Sequence, residues 1–304
     1  MQWREYEGEG GPGAGKRVVL VSGDEEYRSE EALPMLGGIL AAHHGFDTIA
    51  LFAINRETGE IDPLTLDNIP GLEALDEADC MIIATRFREL PDEQMKHIVD
   101  FIEAGKPVIG MRTATHAFRY KKNPDSPYAK YDCTSETFEG GFGRQILGET
   151  WVNHHGVHGK EGTRGVINPD NADHPILTGV KDVWGTTDVY EVTELTGEPV
   201  ILLNGQVLTG LGHDDPPKPD TPMMPLAWTK EYTGEKGNTS KVFCTTMGAS
   251  TDYNCADLRR LVVNAVYWCV GLEDAISAET SVEPVTPYSP TPFGFGDHKK
   301  GERP

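Results

Sequence analysis

Three histidines stand close together in the segment WVNHHGVHG, at His154, His155 and His158. Imidazole changes its charge near neutral pH and also binds metals, so such a cluster suits either proton transfer or a divalent cation. His154 and His158 have i, i+4 spacing, but Gly156 and Gly159 argue against a regular helix here. The geometry of the helical HExxH zinc motif therefore does not transfer to this segment.

The chemical role of these histidines stays open at the level of the sequence. They are either acid/base or structural groups, or His154, His155 and His158 are ligands of a divalent metal such as zinc. No fixed ligand geometry follows from their spacing, and the five cysteines form no CxxC pair. The sequence demands no cofactor, and a zinc ion is the alternative that it leaves open.

A second polar segment, TTDVYEV, contains Asp188, Tyr190 and Glu191. Either carboxylate could act as a general base, orient a histidine or bind sugar hydroxyls. Tyr190, together with Trp151, could stack on a pyranose ring. Packing in the core or on an edge strand explains these two aromatic side chains almost equally well.

Four apolar runs in the first third of the chain predict the scaffold for these groups: RVVLVS, TIALF, DCMIIA and PVIGM. Their starts lie about 30 residues apart, which is the length of a βαβ unit, and they do not alternate apolar with polar residues. We therefore expect an α/β fold with a doubly wound, mostly parallel sheet flanked by helices. KVFCTTM is the predicted last central strand. The helical patterns are strongest in PDEQMKHIVDFIEAGK and at 256–269.

Ligands of open parallel sheets bind beyond the carboxyl ends of the strands. Arg86 and Arg112 are the stronger candidates among the polar residues, because each closely follows a predicted strand, where its donors can reach a carboxylate, phosphate or sugar hydroxyl. We predict His154, His155, Asp188 and Arg112 as catalytic residues. The predicted substrate-binding residues are Glu25, Tyr27, Arg28, Arg86, His116, Trp151, His158, Tyr190, Glu191 and Thr251. For any single Glu or Arg among them, a solvated loop charge or a helix cap is an equally good interpretation.

Composition excludes several classes of function. Lys and Arg number 27 against 48 Asp and Glu, and the net charge of −21 repels nucleic acids and anionic membranes. The longest apolar run, near 262–270, is interrupted by Asn264 and falls short of the roughly 20 residues of a membrane helix. The opening MQWREYEGEGGPGAGK lacks the apolar core of a signal peptide. We expect a soluble protein, either cytoplasmic or, after processing, periplasmic or secreted.

The distribution of strand-like, helical and proline-rich segments predicts one domain at 17–273, preceded by an extension at 1–16. Its middle part, about 121–237, is rich in Gly, Pro, Asp and Thr, which predicts long loop excursions. Three short strands are predicted there, at 164–167, 200–203 and 225–229. The tail at 274–304 contains Pro284, Pro287, Pro290 and Pro292, so it should be extended and packed on the domain. A homodimer is compatible with the sequence.

Longer motifs resemble the ThuA-like (trehalose utilisation) family, within the class I glutamine amidotransferase-like, flavodoxin-like fold. The resemblance covers roughly 18–273. The motifs that carry it include VVLVSGDEEYRSEE, AGKPVIGMRTATHAF, GGFGRQILGETWVNHHG and KVFCTTMGASTDYNCADLRRLVVNAVYWCVGLE. The ending PTPFGFGDHKKGERP and the opening EYEGEGGPG resemble a subgroup abundant in planctomycete-type bacteria, many of whose proteins are exported.

The resemblance implies a role in carbohydrate catabolism, with a trehalose-type or keto-disaccharide as the small-molecule substrate. Amidotransferases place a nucleophilic cysteine after the GKPVLG-like strand, whereas this chain has Arg112 there and no cysteine nearby, which argues against a thioester route. ThuA-like proteins often have histidine at this turn. The leading hypothesis is a hydrolase or isomerase in which His154, His155 or His158 and Asp188 transfer protons and Arg112 holds the saccharide. The alternative is a sugar-binding or assembly module without catalysis.

Overall fold

The computed structural model describes residues 2–304, which contain one mixed sheet of ten strands and three α-helices. The strands are β1 (Trp3–Tyr6), β2 (Arg17–Gly23), β3 (Asp47–Leu51), β4 (Cys80–Thr85), β5 (Val108–Met111), β6 (Thr163–Ile167), β7 (Val183–Gly185), β8 (Val200–Val207), β9 (Met224–Thr233) and β10 (Thr239–Thr245). The helices are α1 (Ser29–His44), α2 (Asp92–Glu103) and α3 (Ala256–Cys269).

The centre of the sheet consists of five parallel strands in the order β3-β2-β4-β5-β10. β3 lies on one side of β2, and β4, β5 and β10 follow in this order on the other side of β2. This is the strand order of flavodoxin-like folds, and it opens a crevice between the carboxyl ends of β2 and β4. The predicted α/β fold with a doubly wound sheet is confirmed.

Antiparallel strands extend both edges of this parallel centre. β9, β8, β6 and β7 continue the sheet beyond β10, and β1 pairs with β3 on the other side. The three short strands predicted in the Gly- and Pro-rich middle of the chain are β6, β8 and β9. β1 and β7 were not predicted, because four and three residues are too few to show a periodic pattern.

Helices cover both faces of the sheet, as alternate residues of β2 show. Val18 and Leu20 belong to the core cluster that contains the buried faces of α1 and α3. Val19 and Val21 belong to the cluster on the other face, which contains the buried side of α2. Strands buried on both faces have no polar positions, which is why their sequences are uniformly apolar.

The tail after α3 crosses the carboxyl edge of the parallel strands. Tyr288 donates a hydrogen bond from its hydroxyl to the carbonyl of Ser250, at 2.8 Å. Near the end of the chain, the carbonyl of Glu302 accepts a hydrogen bond from the amide of Ile61, also at 2.8 Å. The part of the tail between these two contacts therefore passes over the crevice of the sheet. Within residues 2–304, no helix is long and apolar enough to cross a membrane.

Candidate functional site

A cavity of about 220 Å³ lies at the carboxyl ends of β2, β4 and β5. It is lined by Glu26, Tyr27, Arg86, Phe87, His116, Trp151, His154, His158, Tyr190 and Phe295. A larger cavity of about 590 Å³ lies against α1, but no histidine lines it. The smaller cavity is the candidate site, because titratable and aromatic side chains from several elements converge there.

His154 and Asp188 form the central pair of the site. Nδ1 of His154 lies 2.6 Å from Oδ2 of Asp188, whose side chain is buried. An ionised carboxylate only accepts hydrogen bonds, so this contact places the imidazole proton on Nδ1. The lone pair is then on Nε2, and the carboxylate stabilises the imidazolium ion that forms when Nε2 takes up a proton.

Arg112 holds this carboxylate from behind. One of its terminal nitrogens lies 2.9 Å from Oδ1 of Asp188, and the other donates to the carbonyl oxygens of Asp188 and Thr246, each at 2.8 Å. Burial opposes ionisation of Asp188. The charge of Arg112 and the hydrogen bonds from the histidines outweigh this effect and hold the pKa of the carboxyl well below its usual range.

The structure places Arg112 behind the wall of the cavity, and its role in holding a saccharide stays a prediction. Its guanidinium lies 3.8 Å from the ring centre of Tyr190 and 4.6 Å from that of Tyr27, and only 1% of the residue is exposed. It therefore lies beneath the two tyrosines and is not among the residues that line the cavity. Arg112 adopts a φ of 47° in the turn after β5, a left-handed conformation that is uncommon for residues other than glycine. This turn directs the side chain toward Asp188.

His158 connects Asp188 to a second carboxyl group, that of Glu26. Its Nδ1 lies 3.2 Å from Oδ1 of Asp188, and its Nε2 lies 3.3 Å from Oε1 of Glu26. The hydrogen bond to Asp188 raises the pKa of His158, although partial burial acts in the opposite direction. The ionised carboxylate of Asp188 therefore favours the charged form of His158.

Glu26 differs electrostatically from Asp188. Burial raises its pKa, while the charge of Arg86, whose Nε lies 3.5 Å away, acts in the opposite direction. Arg86 cannot compensate fully, because its guanidinium is also paired with Glu25. Two carboxyl groups in one site thus have pKa values shifted in opposite directions, which is the arrangement of a proton donor beside a base.

Aromatic rings form the remaining walls of the cavity. The ring of His116 lies 5.0 Å from that of Phe87, 5.7 Å from that of Trp151 and 6.3 Å from that of Tyr190. Burial holds the pKa of His116 well below its usual range, so this imidazole is neutral. The walls therefore offer apolar faces, as binding sites for sugar rings and other small molecules commonly do.

His154 and His155 are neighbours in the sequence, but their side chains contact different partners. The backbone of His154 pairs with that of Tyr190 in an isolated antiparallel bridge, and the chain bends at His155. His155 contacts the carbonyl of Pro222 through Nε2, at 2.8 Å, whereas His154 contacts Asp188. Glu191 is not among the lining residues. The prediction of His155 as a catalytic residue is not supported by its position.

Three other predicted substrate-binding residues do not line the cavity and are held by contacts within the protein. Glu25 pairs with Arg86 and Arg88, and buried Arg28 donates to the carbonyl of Gly294. Thr251 forms a hydroxyl contact of 2.7 Å with Thr186. The predicted residues that the structure does bring to the cavity are Tyr27, Arg86, His116, Trp151, His154, His158 and Tyr190.

Three lining residues were absent from the predicted set: Glu26, Phe87 and Phe295. Glu26 and Phe87 follow predicted strands directly, so their positions in the sequence gave a signal of proximity to the crevice. No local signal identifies Phe295, because its place depends on how the tail crosses the sheet.

A metal is compatible with only part of the predicted histidine set. Candidate ligand atoms of His154, His158 and Asp188 lie within 4.8 Å of one another, and His155 does not belong to this group. The chemistry of two imidazoles and one carboxylate suits zinc or iron. However, the carboxylate is already paired with Arg112, whose positive charge opposes a second cation at this place.

Comparisons with known proteins agree with this fold. The crystal structure of a thua-like protein from Parabacteroides merdae ATCC 43184 matches with a TM-score of 0.54 at 14% identity, over 87% of this chain and 96% of that chain. A thua-like protein from Bacteroides uniformis ATCC 8492 matches with a TM-score of 0.49 at 15% identity, over 86% of this chain and 92% of that chain. No curated protein matches the sequence significantly. The trehalose utilisation (ThuA) family matches residues 17–269, and the chain therefore belongs to this family.

Proposed function

We propose that the protein is an enzyme of carbohydrate utilisation that transfers protons on a saccharide carrying a keto group. Family membership points to carbohydrate utilisation. The observation that carries the proposal is the contact of 2.6 Å between Nδ1 of His154 and Asp188, in a cavity that also contains Glu26. Acid/base catalysis requires a base and an acid close together. Here the pKa of Asp188, which supports the base His154, is lowered, and the pKa of Glu26 is raised.

In this proposal, His154 removes a proton from the carbon next to the carbonyl of the sugar. Nε2 accepts the proton, and Asp188 stabilises the imidazolium ion. Glu26, in its protonated form, donates its proton to the carbonyl oxygen, which gives an enediol. In an isomerisation, His154 returns its proton to the former carbonyl carbon, while the hydroxyl on the deprotonated carbon gives its proton to the carboxylate of Glu26 and becomes the new carbonyl. In an elimination, the enol hydroxyl returns its proton to Glu26 and the carbonyl reforms, while the substituent on the carbon beyond the deprotonated one leaves with the proton held by His154.

Hydrolysis by the two-carboxylate mechanism of many glycosidases is less compatible with the site. That mechanism needs one carboxylate free to attack the sugar or to activate water. Both oxygens of Asp188 are in contact with other groups, namely Arg112, His154 and His158. A thioester route is also disfavoured, because Arg112 occupies the turn where amidotransferases place a cysteine and the described residues that line the cavity include no cysteine.

The size of the cavity favours one sugar ring as the bound unit. About 220 Å³ is below the roughly 300–1,000 Å³ of sites that enclose drug-sized ligands. A disaccharide would place its keto ring inside and its second ring at the mouth. Trp151 and Phe87 offer faces for the apolar side of the inner ring, and Arg86 is a donor for its hydroxyl groups.

Metal-assisted proton transfer is a second candidate function, since the ligand atoms of His154, His158 and Asp188 lie close together. When bound there, a divalent ion would polarise the carbonyl of the sugar. The two candidates differ in whether activity depends on the metal.

Proton exchange in D₂O tests the proposal directly. The purified protein is incubated with trehalose, its 3-keto derivative and related glycosides, and NMR follows both product formation and loss of the proton next to the carbonyl. We expect exchange with the keto sugar, loss of this exchange in His154→Ala and its retention in His155→Ala. Binding of a sugar without exchange or turnover, unaffected by His154→Ala, would instead support a binding module.

A further inference from the structure

One wall of the cavity comes from outside the region that the family shares. The family match ends at residue 269, whereas Phe293 and Phe295 lie in the tail. Phe295 lines the cavity beside residues from the core of the domain. This part of the site therefore lies beyond the residues that the family model matches.

The tail is attached to the domain before its two phenylalanines and again between them. Before them, the amide and hydroxyl of Thr291 donate to the carboxylate of Glu31, at 2.8 and 2.7 Å. Between them, the amide of Gly294 donates to the carbonyl of Glu26 at 2.8 Å, and Arg28 donates to the carbonyl of Gly294. The tail is thus bonded to the same loop that carries the proposed acid.

Phe293 and Phe295 have different surroundings. The ring of Phe293 packs 5.3 Å from that of Tyr27 and 5.5 Å from that of His158, so it supports residues of the site. Phe295 lies with its ring 5.1 Å from the guanidinium of Arg86, and yet 58% of the residue remains exposed. A held but exposed aromatic ring at the edge of a cavity is typical of a surface that a ligand covers.

We propose that Phe295 is a specificity-determining residue whose ring stacks on the apolar face of a sugar ring at the mouth of the cavity. Arg86 holds the ring from one side and leaves its other contacts to the ligand. This inference rests on the proposed function, because the ligand of Phe295 would be the same saccharide on which His154 and Glu26 act. We expect Phe295 to increase binding affinity most for ligands that have a second sugar ring.

Titration calorimetry with Phe295→Ala tests this inference. The ligands are trehalose, its 3-keto derivative and the corresponding 3-keto methyl glucoside, which lacks the second ring. We expect Phe295→Ala to weaken binding of the keto-disaccharide by about three- to tenfold, as loss of one aromatic contact does, and to affect the methyl glucoside less. Phe295→Trp should bind within about twofold of the unchanged protein. Val285→Ala is the matched control, since Val285 is also in the tail and 54% exposed but lies outside this cavity.

The outcomes separate this inference from the proposed function. If Phe295→Ala binds the keto-disaccharide as tightly as the unchanged protein while His154→Ala still abolishes exchange, the inference is wrong and the proposed function stands. Equal weakening by Phe295→Ala and Val285→Ala would also overturn it, because the effect would then belong to the tail as a whole. If the unchanged protein binds none of the sugars, both proposals fail.

Discussion

Oδ2 of Asp188 accepts a hydrogen bond from Nδ1 of His154 at 2.6 Å, while Oδ1 of the same carboxylate lies 2.9 Å from the guanidinium of Arg112. The carboxylate is therefore fixed between a buried permanent charge and an imidazole that reaches the cavity. Arg112 keeps Asp188 ionised, and the ionised Asp188 orients His154.

His154→Ala should lower the rate of proton exchange by about 10²–10⁴-fold, which is the usual contribution of a general base. The protein should remain folded, since His154 is only partly buried. His155→Ala is the control, because the adjacent side chain points away from the cavity toward Pro222. Rates are measured by NMR in D₂O, with circular dichroism as the check of folding. Equal losses in both variants would contradict the assignment of His154.

Arg112→Met should destabilise the protein by about 3–5 kcal/mol, because it leaves the buried carboxylate of Asp188 without its partner charge. Adding Asp188→Asn in the same chain should restore part of this loss. Urea unfolding measures the free energy of unfolding of the single variant, the double variant and the unchanged protein. The control is Arg17→Met, which breaks the exposed pair with Glu77 and should cost less than about 1 kcal/mol. A loss from Arg112→Met no larger than that from Arg17→Met would show that Arg112 does not support the carboxylate.

Glu30 should make the stability of the protein depend on pH. Neither of its carboxylate oxygens has a hydrogen-bond partner among the described residues, and burial raises the pKa of Glu30 to about 8. An unfolded glutamate loses its proton near pH 4.5, while the folded protein keeps it until about pH 8. Stability therefore falls as the pH rises through this window.

Glu30→Gln should remove this fall. Its unfolding free energy relative to the unchanged protein should increase by a few kcal/mol between pH 4 and pH 9. Urea unfolding at the two pH values measures the difference, and Glu57→Gln, at an exposed position, is the control. A constant difference between Glu30→Gln and the unchanged protein at both pH values would contradict the raised pKa.

Removal of metals should leave proton exchange unchanged. The positive charge of Arg112 opposes a divalent cation at the carboxylate that it shares with His154 and His158. Activity is measured before and after dialysis against a chelator, and elemental analysis is made on protein purified without added metal. A stoichiometric metal that disappears in a variant with both His154→Ala and His158→Ala would favour the metal-assisted candidate.

The strands of the parallel centre and the helices α2 and α3 were predictable because their signals are local. A strand buried on both faces must be apolar throughout, and a helix on one face must repeat its apolar residues every three to four positions. Both patterns can be recognised within a short stretch of the sequence. The edge strands β1 and β7 lack such a signal, because their pairing depends on neighbours that are distant in the chain.

The candidate site was predictable in composition and less so in arrangement. The cluster at His154 and His158, together with Asp188 and Tyr190, shows by residue type alone that acid/base or binding chemistry is available. The structure places His154 and Tyr190 in the lining of the cavity, whereas their sequence neighbours His155 and Glu191 do not line it.

The sequence by itself determined the fold class, the family and the kinds of chemical groups that meet at the crevice. The tertiary structure alone decided that the pKa of Asp188 is lowered and that of Glu26 is raised, because both depend on burial and on charges brought from remote positions. It also decided that Arg112 supports the site from beneath and that Phe295 closes it from the tail. Local composition cannot specify these contacts, since they join residues far apart in the chain whose distances are set only by packing.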